Sequence, residues 1–242
     1  MLSVEIPPIP AERTRVVGSD DSPVYSSQSL YLQYLWNARH SARLCAEAEA
    51  DTDGRRGYEV RGHALTAVTS AVAFLETTVN EVLEHAADPR SAGSDLSEST
   101  VETMRALWRG EEFDKASIFL KYQVALTAAG QSLMNPGENP YQDADLLVRL
   151  RNRLMHYKPK WQLVHGTPGD VKPSSMEKQL KNKFPPNQLT KRSRAAWYPD
   201  KCLGAGCAQW ACDTAVAFVD AWWSRMGIER PWDAILHLWP VP

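Results

Sequence analysis

Cysteine is scarce in this chain. Four thiols, Cys45, Cys202, Cys207 and Cys212, among 242 residues are too few for a disulfide framework. The last three follow one another at steps of five, which is no zinc-ligand spacing, and no nearby histidine completes a set. Cys207 and Cys212 read instead as small core-facing residues on a helix. Long apolar runs are also missing, none approaching the roughly 18 residues that span a bilayer. The opening MLSVEIPPIPAERTRVV lacks the charged-then-apolar pattern of an export signal, so the expected location is the cytoplasm. There is no internal repeat, no Gly-rich phosphate loop, no Ser-His-Asp order and no HExxH. No β-rich stretch stands out either.

What remains is a chain of ordinary globular composition, 43% apolar and 23% charged, long enough to bury a substantial core. Its net charge of −2 conceals a segregation. Residues 140–201 carry 13 Lys and Arg against 5 Asp and Glu, a net of +8, and the rest of the chain carries 14 against 24. Basic clustering of this kind suits a polyanion-binding face, because neutralising phosphates supplies most sequence-independent affinity. The alternative is a solvated charged loop. Within the basic stretch 178–194 the candidate RNA contacts are Lys181, Lys183, Lys191 and Arg192.

Taken in order, residues 1–25 are Pro-rich and read as an extended arm. One domain is expected over 26–242. A first helix runs over about 27–50 with Tyr31, Leu35, Ala38 and Leu44 among its apolar positions, and residues 51–54 make a turn. The second, about 56–87, has Leu65, Val68, Val72, Leu75, Val79 and Val82 at alternating steps of three and four, the pattern of a central spine. Glu76 and Asn80 flank that stripe, either as boundary residues or as groups reaching the polar face of a later helix. Ser99 to Glu102 has capping-box spacing ahead of a short helix to Trp108. Another helix is expected over 112–129. Residues 161–204 form a basic, loop-rich excursion with one short helix near 176–184, and a helix over 205–226 closes the core, stopped by Gly227. Trp210, Trp222, Trp223, Trp232 and Trp239 crowd this end as core, interface or base-stacking groups. The expected fold is one all-α domain.

The stretch 139–160, NPYQDADLLVRLRNRLMHYKPK, reads as one further helix, with Asn139 as N-cap, Pro140 at the first position and Pro159 as the stop. Leu147, Leu150, Leu154 and Tyr157 make one apolar stripe. Asp145, Arg149, Asn152 and His156 fall on another side, and Val148 and Met155 lie between that polar line and Arg151. The helix is thus apolar on two separated sides, one for its own bundle and one for a second partner.

Residues Leu150-Arg151-Asn152-Arg153-Leu154-Met155-His156-Tyr157 resemble the signature of the HEPN superfamily (higher eukaryotes and prokaryotes nucleotide-binding), an Arg commonly followed by Asn with a His four to six residues beyond, late in a helical bundle. The resemblance implies an up-and-down bundle of four to five long helices with extra short ones, often dimeric. It implies a metal-independent endoribonuclease without cofactor, cutting by attack of the ribose 2′-hydroxyl on the adjacent phosphate, in a toxin or anti-phage role. His156 would be the general acid/base, Arg151 the phosphate clamp, and Asn152 the orienter of His156 or substrate. Arg149, Arg153 and Lys158 would add RNA contacts. Other members only bind RNA, nucleotides or proteins, and an antitoxin or regulatory protein is a further implied partner. A subset paired with nucleotidyltransferase antitoxins has Tyr two residues after the His, where this chain has Lys158. On one helix Arg151 and His156 point about 140° apart, which favours a homodimer that brings Arg151 of each copy toward His156 of the other.

Overall fold

The computed structural model describes residues 29–51, 56–88, 96–110, 113–158, 174–191, 193 and 196–228. The expected N-terminal arm, the first part of the excursion, Pro159, Arg192, Trp232 and Trp239 lie outside them. All secondary structure among the described residues is helical: α1 (Tyr31–Ala50), α2 (Gly57–Ala87), α3 (Glu98–Trp108), α4 (Ile118–Ala128), α5 (Tyr141–Met155), α6 (Ser175–Lys181), a π-type turn at Trp197–Lys201, and α7 (Ala205–Met226).

Helix α2, with 31 residues, is the spine. Val68, Val72, Leu75 and Val79 are fully buried as their spacing requires. The stripe fades at both ends, since Leu65 is exposed and Val82 only half-buried. Side-chain bonds fix the helix directions. Ser29 Oγ and the amides of Leu30 and Tyr31 donate to the Glu81 carboxylate near the end of α2, while Cys45 Sγ donates to Val60 O near its start. Helices α1 and α2 are therefore antiparallel, and Glu81 satisfies α1 amides that no residue of α1 caps. Arg61 at the start of α2 pairs with Asp200 just before α7, at 2.8 Å, so α2 and α7 begin at the same end. Tyr141 packs 5.8 Å from Phe218 late in α7, and Tyr157 lies 6.2 Å from Tyr198 ahead of α7, which turns α5 the opposite way. Helices α1, α2, α5 and α7 thus alternate in direction around one core. Tyr122 of α4 donates to Leu75 O and its own carbonyl accepts from Trp222 Nε1, closing one end of the bundle.

Helix α7 occupies the span its pattern predicts, burying Ala208, Cys212, Ala215, Val219 and Trp222 and ending at Gly227 with φ +70°. Cys207 and Cys212 face the core, and Trp222 and Trp223 are core residues too. Other boundaries differ from those the sequence predicts. Ser97, not Ser99, caps α3 through the Thr100 amide. Helix α4 begins only at Ile118, after Ser117 accepts from the Leu120 amide, so residues 113–117 of the expected helix are not helical.

The excursion packs more tightly than its composition suggests. Leu180, Phe184, Tyr198, Cys202 and Leu203 join the common core. Buried Glu49 ties it down, one oxygen accepting from the Gln188 amide at 2.5 Å and the other from the Ala205 amide that opens α7. Asn187 completes the clasp by donating from Nδ2 to Leu203 O at 2.8 Å.

Candidate functional site

Helix α5 is seated by Ala144, Leu146, Leu147 and Leu150, all buried against the core. Pro140 rather than Asn139 stands at its N-cap, and its last helical residue is Met155, so both ends depart from expectation. His156 is the C-cap, with φ −105° and ψ 33°, its amide donating to Asn152 O at 3.0 Å. The last turn has little to pack on. Leu154 is half-buried, and Tyr157, expected in the core stripe, is 44% exposed. Of the second apolar side, Val148 packs against the core while Met155 is 59% exposed. Helix bonding stops where the side chains stop gaining burial.

This end presents Asn152 and His156 to solvent one turn apart, with Lys158 also exposed. Arg151 turns inward toward α2. Its guanidinium lies 3.7 Å from the Glu76 carboxylate, too far for a hydrogen bond, and its buried Nε has no hydrogen-bond partner among the described residues. A pair this exposed is worth only about 0–1 kcal/mol, so Glu76 tethers Arg151 without saturating its five donors. An anion able to take two charge-assisted bonds from the same fork would displace it. Glu76 therefore meets the motif helix at Arg151, not on the polar line of Asp145, Arg149, Asn152 and His156 that was the alternative to a boundary role. It also faces Lys121, whose buried ammonium donates to Asn80 Oδ1 at 2.9 Å and Asp114 O at 2.6 Å. Burial pushes the Lys121 pKa down, with Glu76 opposing that shift.

The neighbouring cations divide into two groups. Arg153 donates to Ser174 Oγ at 3.1 Å, lies 3.7 Å from Glu177, and stacks 4.3 Å over the Tyr198 ring. Arg149 donates to Asp145 at 2.8 Å and to Gln179 at 3.3 Å, and Lys183 pairs with Asp143 at 2.6 Å. These three hold α6 and its approach against α5, a packing role that sequence spacing did not reveal. Lys158, Lys178, Lys181 and Lys191 are exposed and form no ion pair with a described residue, although Lys181 sits 5.6 Å from the Trp197 ring. The basic surplus thus survives as lysines on and around α6. Glu49, Asn187 and Tyr198 carried no signal in the sequence, because each is placed by backbone groups or rings from distant segments. Among the described residues no three His, Cys, Asp or Glu side chains converge as metal ligands. No helix among them is long and apolar enough to cross a membrane. Compared with family models, curated proteins and solved structures, the chain matches none of them.

Proposed function

We propose that the chain is a HEPN-type endoribonuclease cutting RNA by internal attack of a ribose 2′-hydroxyl. The observation that carries the reading is the end of α5, where a tethered but unsaturated Arg151 accompanies exposed Asn152 and His156. His156 would move the protons, removing one from the 2′-hydroxyl or supplying one to the departing 5′-oxygen, while Arg151 leaves Glu76 to hold the phosphate as charge builds on it. Asn152 orients the imidazole or the ribose. Because both roles fall to side chains, the reaction needs no divalent ion. The exposed lysines around α6 would guide the polyanion. Met155 and its neighbours would meet a second copy, letting Arg151 of one chain serve His156 of the other.

Incubating the protein with labelled RNA in EDTA, beside a His156→Ala control, tests this. Cleavage lost in the variant is expected. Activity that chelation abolishes and Mg²⁺ restores overturns the mechanism. A second reading, a non-catalytic module binding RNA, a nucleotide or a protein, gains support from the Glu76 contact, since Arg151 already faces a carboxylate. Tight RNA binding with no product would select it.

A further inference from the structure

Three consecutive residues at the end of α5, His156, Tyr157 and Lys158, are exposed. A tyrosine at 44% exposure leaves much of its ring to solvent, and Tyr157 is no part of the core cluster. Its position is nonetheless supported from behind. The ring lies 6.2 Å from Tyr198 at an interplanar angle of 50°. Tyr198 is buried, and the Arg153 guanidinium, held by Ser174 and Glu177, also lies against its ring. An exposed tyrosine one residue beyond His156 is thus braced by a buried ring that itself carries a guanidinium.

We infer that Tyr157 is a stacking platform for an unpaired nucleobase next to the phosphate handled by His156 and Arg151, and that the substrate class is single-stranded RNA. The inference rests on the ribonuclease reading. Bases in a duplex are stacked on one another and offer no free face, whereas splayed single-stranded bases stack on exposed aromatic rings. Lys158, exposed and next in the chain, supplies the charge for the following phosphate. Stacking tolerates any base, so this platform selects for strandedness rather than sequence.

The test uses the full chain carrying His156→Ala, which leaves RNA uncut, and a single-stranded oligoribonucleotide containing 2-aminopurine. Binding is expected to quench the fluorescent base. Adding Tyr157→Ala should remove the quenching and weaken binding roughly ten-fold, while Tyr157→Phe keeps both. In the otherwise unaltered protein Tyr157→Ala should raise KM and spare kcat, and a duplex of the same sequence should be a poor substrate. Binding and quenching indifferent to Tyr157→Ala, or a duplex cut as readily as the single strand, would overturn the platform. A changed sedimentation coefficient in Tyr157→Ala would do so as well, by showing that a second copy covers the ring. Absence of any RNA binding by the His156→Ala chain would instead count against the ribonuclease reading itself.

Discussion

A Cβ placed on Gly204 would stand 2.7 Å from the Asn187 Cα and 2.9 Å from Glu49 Oε2, so backbone and a buried carboxylate both crowd it. Neither can retreat, because Glu49 holds two amides and Asn187 bonds the Leu203 carbonyl. Gly204→Ala is expected to lower stability by about 1–3 kcal/mol, read as a fall in the urea midpoint with the m-value kept. An unchanged midpoint would show that the clasp can shift. His40 offers a pH-dependent counterpart. Burial, then the Arg43 guanidinium, holds its imidazole below the usual value, with Glu47 opposing and His63 adding to the shift. The unfolded chain therefore takes up the proton first. This residue's share of stability is present above the ordinary imidazole pKa of about 6.5 and declines as pH falls below it. His40→Gln should flatten that decline when midpoints are compared between about pH 7 and pH 5. A slope identical to that of the unaltered chain would refute the assignment.

Helices α5 and α6 act as a unit because Arg149, Arg153 and Lys183 spend their charge between them. Arg153→Ala, which removes a hydroxyl contact, a carboxylate and a ring at once, should cost about 1–2 kcal/mol of local stability. Faster amide exchange confined to α6 would register it, and exchange spreading through α5 would contradict it. Neutralising Lys178, Lys181 and Lys191 together should weaken RNA binding and reduce its salt dependence without altering melting. Undiminished binding would leave these lysines as plain solvent-facing charge. How much of this was legible beforehand follows from where the information lies. The buried middle of α2 and the whole of α7 could be read from periodicity, since a long helix repeats its core contacts every turn. Ser97 and Ser99 both satisfy capping chemistry, and only the fold selects between them. The end of α5 escaped because Tyr157 fits the apolar spacing yet meets only the Tyr198 ring and stays outside the core once the chain leaves the helix. Leu180, Phe184, Tyr198, Cys202 and Leu203 follow no period, so their burial could not be anticipated. The spacing of Arg151, Asn152 and His156 is plain in the sequence, and its catalytic meaning rests on resemblance alone. The engagement of Arg153 by Ser174 and Glu177, and of Lys183 by Asp143, could not be read there.

At the scale of the molecule, exposed Met155 beside half-buried Val148 leaves an apolar strip next to the catalytic candidates. A two-fold contact would cover it and pair Arg151 of one copy with His156 of the other. Met155→Glu is then expected to give a folded monomer that keeps its helical circular dichroism and loses cleavage. Mixed dimers of Arg151→Ala and His156→Ala chains should regain part of the activity, since one of their two sites is intact. An unaltered protein that sediments as an active monomer would end the idea. The clasp between Glu49 and the start of α7 bears on biosynthesis as well. It joins residues 156 positions apart, and α7 fills a groove whose other walls, α1 and α2, are made first. While the ribosome is still translating the middle of the chain, the sides of α1 and α2 that α7 will cover have no permanent partner. A polypeptide released before residue 205 keeps this groove open, and its fate is aggregation or proteolysis rather than a smaller folded domain.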